Sequence, residues 1–360
     1  MRSLVVCSAM TLMLVPHAFA ADNALKRCQA GLATVQGIAA CTEAINSGKL
    51  TTADRVTALT SRGYYYNGSQ EWDKAAADFS RAVSANISGF DTAMAYYGLG
   101  QLAAQKGDNA HALADFEAAV RVEPILVEPY FDAGRIRLIQ NEYDKAIGDF
   151  SNFIATKKDN PLAYAGRAAA YSAEHHYGLA ISDYDEALSL RPGASLTRVL
   201  RGNAYFNMKD YDHALADYSE AIRLDPKLPE AYFRRGLMYF SENTYTSAIA
   251  DFGQAIALAP NNPDAYYMRG KAYFYEGEAP ALGIMADVLK GKDIDTNDDR
   301  KADKSLCSRA IADFTQAIRL KPDFAHAYYD RGFARRCIGD ETGHDSDVAA
   351  AGKLDPHLAE

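Results

Sequence analysis

Apolar residues recur along this chain in a pattern 34 residues long. An aspartate followed by an aromatic ring appears at Asp78-Phe79, Asp115-Phe116, Asp149-Phe150, Asp183-Tyr184, Asp217-Tyr218, Asp251-Phe252 and Asp313-Phe314. Each step from Asp115 to Asp251 is 34 residues; the step to Asp313 is 28 longer, and Asp347 follows after a further 34. With Gly202 placed at position 8 of the unit, that column holds Gly63, Gly100, Gly134, Ala168, Gly236, Gly270 and Gly332. Alanine fills position 20 (Ala75, Ala112, Ala146, Ala180, Ala214, Ala248, Ala310) and recurs at position 27, where Phe153 is the one large residue. Large residues stand at positions 4, 11 and 24, as in Tyr232, Tyr239 and Phe252, and position 32 carries Pro124, Pro192, Pro226, Pro260, Pro322 and Pro356. Small residues facing large ones predict two closely packed helices per unit, and the proline, which has no amide to continue with, ends the second. A period of this size predicts a solenoid, in which each unit buries its apolar face only by stacking on its neighbours.

This pattern resembles the tetratricopeptide repeat. Ala231 to Pro260 shows the family's small-aromatic signature in Tyr232, Gly236, Tyr239, Tyr245, Ala248, Phe252, Ala255 and Pro260. The resemblance covers residues 56–358 as eight units. It implies an all-α fold, a right-handed superhelical solenoid of stacked helix-turn-helix repeats, and a role in binding proteins or peptides.

The period is broken in a few places. Residues 21–55 form an incomplete unit, an N-terminal helical cap, in which Ile38 to Ile45 reads as a second helix behind a short segment around Cys28. Three extra residues stand near Ala85–Phe90. An insertion at about 279–306 falls in the turn of the seventh repeat, where Leu282, Met285 and Leu289 share one helical face and predict a short helix over Ala281–Lys290. The last repeat has His344 at position 20 and Val348 at position 24, a polar decay expected of a terminal unit.

The first twenty residues read as a leader: Arg2, an apolar stretch from Leu4 to Val15, and Ala18-Phe19-Ala20 as a cleavage site. The expected location is therefore exported, in a bacterial periplasm, with no membrane insertion after cleavage. Loss of the leader takes the formal charge from −9 to −10 and the cysteines from five to four. An acidic chain without long basic runs makes nucleic acid a poor partner. Four thiols in an oxidising compartment predict two disulfides with three possible connectivities. Position in the repeat favours Cys28 with Cys41, closing the end unit, and Cys307 with Cys337, fixing the last repeat to the seventh.

Arginine fills position 7 in Arg62, Arg167, Arg201, Arg235, Arg269 and Arg331, and aspartate fills position 23 in all eight units. Leu99 and Ala133 replace the arginine without loss of the repeat, so an ion pair within each unit is expected rather than a ladder for an anionic ligand. The resemblance implies that first helices line a concave groove with positions 2, 5, 9, 12 and 13. Carried onto this chain, it makes Tyr97, Phe131, Asn203, Phe206, Phe233, Leu237, Phe240, Tyr267, Lys271 and Phe274 a candidate peptide-binding surface, rich in aromatic anchors. The family's clamp for C-terminal carboxylates is mostly missing: Asn203 and Arg234 fit it, but Val199 and Glu230 stand where it needs lysine.

Within the insertion, Asp293, Asp295, Asn297 and Asp299 partly resemble a calcium loop. Asp298 replaces its glycine and Lys304 its final glutamate, so a solvated acidic loop is the expectation. No nucleophile elbow, zinc-protease pair, P-loop or dinucleotide turn is present, and His175-His176 fall in an inter-helix turn. The chain therefore reads as a non-enzymatic scaffold with no cofactor, binding an unidentified protein or peptide. The alternative is an accessory or calcium-responsive subunit of an envelope enzyme, acting through the insertion.

Overall fold

The computed structural model describes residues 23–31, 33–289 and 303–358, and among them every regular element is helical. The chain divides into two compact units. The first, through Gln140, holds α1 (Asn23–Gln29), α2 (Thr34–Asn46), α3 (Thr52–Gly68), α4 (Trp72–Ser84), α5 (Phe90–Gln105), α6 (Asn109–Val122) and α7 (Glu128–Ile139). The second, from Asn141, begins with α8 (Tyr143–Thr156), α9 (Pro161–Ala173), α10 (Tyr177–Leu190), α11 (Ser195–Asn207), α12 (Tyr211–Leu224) and α13 (Pro229–Ser241). It continues with α14 (Tyr245–Leu258), α15 (Pro263–Leu289), α16 (Lys304–Leu320), α17 (Ala325–Ile338), α18 (Glu341–Leu354) and a closing 3-10 turn. Within each unit, consecutive helices form antiparallel-type hairpins that stack on the next, as the 34-residue period requires.

The core follows the columns. The position-24 rings Phe79, Phe116, Phe150, Tyr184, Tyr218, Phe252 and Phe314 are at most 1% exposed. The rings of Phe79, Phe252 and Phe314 lie close against position-8 backbones: a Cβ built on Gly63, Gly236 or Gly270 would stand 2.5 to 2.8 Å from them. Only a residue without a side chain lets helix and ring approach so closely, which is why glycine fills this column everywhere but at Ala168. A fully buried phenylalanine contributes roughly 1.5–3 kcal/mol, so this one column is a large share of each repeat's stability.

The turns are equally regular. At position 15 the backbone is left-handed in Gln70, Gly107, Asn141, His175, Lys209, Asn243 and Gly339. This closes each first helix with the hydrogen bonds of a Schellman end, such as Asp210 N–H to Tyr205 C=O at 2.9 Å. His175 does what Asn243 does: the Tyr177 hydroxyl meets its Nδ1 at 2.7 Å, as the Tyr245 hydroxyl meets Asn243 Oδ1 at 2.6 Å. Between repeats, Asp225, Ala259 and Lys321 sit extended before Pro226, Pro260 and Pro322, the conformation that a following proline imposes.

The seventh repeat departs from the expectation. Instead of turning at position 15, α15 runs through Gly277 and Pro280 as one helix to Leu289, so Ala281–Leu289 continues the first helix and is not a separate one. Gly277 is held helical because the returning chain presses on it. Asp303 N–H donates to Gly277 C=O at 2.9 Å, and a Cβ on Gly277 would stand 3.1 Å from Leu306 Cβ and 3.2 Å from Asp303 C=O. Asp303 also caps α16, accepting from Ser305 N–H at 2.8 Å, and these bonds hold its carboxyl below the usual range.

Both cysteine pairs are bridged. Cys28 and Cys41 join α1 to α2 with Cα atoms 4.6 Å apart, and Cys307 and Cys337 join α16 to α17 at 6.3 Å, within the reach of about 7 Å that a disulfide allows. No described helix is long and apolar enough to cross a membrane. The leader, residues 1–20, and the calcium-like segment Asp293–Asp299 lie outside the described residues.

Candidate functional site

Two families of side chains compete for the role of ligand contact, and geometry separates them. The first is the position-7 arginine column. Arg235 donates from Nε to Asp251 Oδ2 at 2.7 Å and from Nη2 to Oδ1 at 2.9 Å. The same fork joins Arg62 to Asp78, Arg167 to Asp183, Arg201 to Asp217, Arg269 to Asp313 and Arg331 to Asp347. The free Nη1 reaches back to position 25 of the preceding repeat: Thr42, Ser151, Asp185, Ser219 or Thr315. Tyrosines cover the planar faces, with Arg269 lying 5.8 Å from the Tyr266 ring and 5.9 Å from that of Tyr273. The carboxylate hydrogen bond raises the Arg235 pKa further, against burial, which lowers it. With its fork engaged and its faces covered, the column is a structural clasp of three helices. Where it fails the chemistry changes: Leu99 leaves Asp115 without an arginine, and burial pushes the Asp115 carboxyl up. In α7, with Ala133 at position 7, Arg137 one turn later donates to Glu117 at position 25 instead.

The second family is the strip on the first helices, and the candidate residues divide by position. Position 5 goes inward. Tyr97 is buried against Phe116 and donates its hydroxyl to Asp132 Oδ2 at 2.8 Å. Tyr267 repeats the arrangement in the second unit, packing on Phe314 and Phe324 and donating to Asp330 Oδ2 at 2.8 Å. Phe233 lies 5.7 Å from Phe252, and Leu237 packs on the same core. Asn203 is engaged too, its Oδ1 accepting from the Tyr218 hydroxyl at 2.8 Å. Burial pushes the carboxyls of Asp132 and Asp330 up, although the tyrosine hydroxyls favour the charged forms. In the first unit Phe131 is half-buried with the Arg135 guanidinium over its ring at 5.9 Å.

Positions 12 and 13 keep exposed or half-exposed surface, as does Lys271 at position 9, whereas Asn203 and Leu237 in that column are engaged as above. Phe206 is 37% exposed beside Tyr211. Further along, Phe240, Lys271 and Phe274 come together with two residues absent from the candidate set, Tyr245 and Tyr275. Tyr245 and Tyr275 stack at 5.7 Å, Phe240 stands edge-on to both, and Phe274 adjoins Tyr275 at 5.8 Å. The Lys271 ammonium lies 5.5 Å from the Tyr267 ring centre, 5.8 Å from Phe240 and 6.0 Å from Tyr275. Tyr275 occupies position 13, a groove-facing position, so reading that column would have found it. This half-exposed aromatic cluster around a cation is suited to gripping a side chain, with no group disposed for bond making. Among the described residues no cluster of three or more His, Cys, Asp or Glu is placed to hold a metal ion.

Family models described as TPR repeat match residues 202–243 and 236–277, and one described as tetratricopeptide repeat matches residues 60–124. Among solved structures, a tetratricopeptide repeat protein from Parabacteroides merdae is similar over 74% of this chain and 96% of its own, with 18% identity and a TM-score of 0.52. The C-terminal part of a TPR repeat-containing protein from Cytophaga hutchinsonii is similar over 67% of this chain and 95% of its own, with 19% identity and a TM-score of 0.51. No curated protein sequence matches the chain.

Proposed function

Because this chain is a tetratricopeptide-repeat protein, we propose that it is a non-enzymatic scaffold of the cell envelope that binds an extended peptide segment of another protein along its first helices. The observation that carries the reading is the surface cluster of Phe240, Tyr245, Lys271, Phe274 and Tyr275. Phe240 and Phe274 pack partly on the core beside Phe233 and Tyr267, and with Tyr245 and Tyr275 they keep half-exposed ring surface at facing positions of two successive repeats, the form of binding anchors. The leader pattern and the two disulfides support export. Cross-linked pull-down from a bacterial envelope fraction tests the proposal, comparing the full chain with Phe240→Ala/Phe274→Ala. A partner recovered by the first and lost by the second, with the melting temperature held within a few degrees, supports it. Equal recovery by both places the working face elsewhere.

A further inference from the structure

Lys271 differs from the position-7 arginines of this chain in having no carboxylate fork. Arg269, two residues away on the same helix, has a bidentate carboxylate partner. Lys271 has aromatic rings on three sides, and no carboxylate stands within ion-pair distance of it among the described residues. The charged neighbour that acts on it is Asp330, whose Oδ2 already accepts from the Tyr267 hydroxyl. Glu276, on the next turn, is hydrogen-bonded to the Thr246 hydroxyl. We infer that Lys271 and its ring walls form a subsite for the carboxylate side chain of an acidic residue within the bound peptide, next to an apolar or aromatic residue of that peptide. The inference rests on the peptide-binding reading above and names the partner's chemistry.

Ring faces attract an ammonium but satisfy none of its three N–H donors, whereas a carboxylate takes those donors directly in a charge-assisted bond. Rings 5.5 to 6.0 Å from the ammonium restrict its range, so less side-chain freedom is lost when an anion arrives. Phe274 and the Tyr245–Tyr275 stack lie beside the cation and offer apolar surface to the peptide's neighbouring side chain.

The test pans two random dodecapeptide libraries against the full chain. In one the peptide's C terminus is fused to the carrier, so that negative charge comes from side chains; in the other the C terminus is free. The expected result is that the fused library yields binders with Asp or Glu beside an aromatic or aliphatic residue. These binders should lose about tenfold in affinity on Lys271→Gln, the size of one charged hydrogen bond, and keep it within a few-fold on Lys271→Arg. Glu→Gln in the peptide should cost the same on the wild-type chain and nothing more on Lys271→Gln, the mark of a direct pair. Fused-library binders without acidic enrichment, or binders indifferent to Lys271→Gln, overturn the inference and leave the peptide-binding strip standing. Binders from the free-terminus library alone also overturn it, in favour of terminal carboxylate capture. If neither library yields binders, the peptide-binding reading falls and the inference falls with it.

Discussion

Arg269 and Lys271 stand two residues apart on α15, and each lies against tyrosine rings, yet they have opposite fates. Arg269 is pressed between Tyr266 and Tyr273 and forks onto Asp313, a carboxylate 6% exposed. Lys271 meets Tyr267, Phe240 and Tyr275 with no carboxylate in ion-pair distance, Asp330 acting on it from farther away. The difference teaches how a repeat separates holding itself together from holding something else. A cation whose partner is supplied by its own repeat is architecture; a cation given rings and only a more distant carboxylate is, on the inference above, open to a visitor.

The comparison is broken most forcefully at the arginine. Arg269→Met keeps the packed stem and strands Asp313, so urea unfolding should show a loss of about 3–5 kcal/mol, and adding Asp313→Asn should recover most of it. Recovery distinguishes a buried uncompensated charge from lost packing, which the second change cannot repair. Repeat 2 already contains the natural version, Leu99 with Asp115, where the carboxylate is only half-buried.

A smaller effect sharpens the division between positions 5 and 12. Phe233→Ala removes a ring packed on Phe252 and should cost about 2–3 kcal/mol, below the 3–5 of a fully buried phenylalanine. Phe240→Ala at the surface cluster should cost less and show its effect in peptide affinity. Equal thermal losses in the two variants would erase the distinction.

The smallest effect concerns Asp330. Burial raises its carboxyl above the ordinary value of about 4, so the folded chain binds this proton more tightly than the unfolded one. Its contribution therefore falls as pH rises from about 4 through the folded value, and is constant above it. Asp330→Asn keeps an acceptor for the Tyr267 hydroxyl and should flatten that decline, with a stability difference from wild type that grows with pH to about 1 kcal/mol. Unfolding free energies measured from pH 4 to 8 check the sign.

How far the sequence spoke depends on what each column had to say. The 34-residue spacing of Asp-aromatic pairs, Gly202-type glycines and Pro226-type prolines gave the helices, their order and the arginine clasp, because repetition makes packing rules visible eight times over. Position 25 could also have been read: Thr42, Ser151, Asp185, Ser219 and Thr315 all accept from the next repeat's arginine, but their varied identities hide a common role. The candidate strip was legible as a face and illegible in depth. Periodicity sets which way Phe233 and Phe240 point along a helix, while the spacing between neighbouring helices decides how deeply each packs on the core they share. The course of α15 through Gly277 and Pro280 was hidden for a further reason: a glycine at position 15 and a nearby proline both favour a turn, and the pressure of Asp303 and Leu306 that keeps Gly277 helical comes from residues on the far side of the insertion.

That meeting point has a consequence for how such an array can change. The chain leaves its repeat at Gly277 and comes back at Asp303 with the two backbones joined by a hydrogen bond of 2.9 Å, and the Cys307–Cys337 bridge follows within one turn. The two ends of the excursion are thus held by the host repeat itself, so the material between them can lengthen, shorten or be exchanged while the stacking of the seventh and eighth repeats keeps its register. The seventh repeat is, in effect, a docking port written into the chain, where new sequence can be trialled by evolution or by graft without renegotiating the fold.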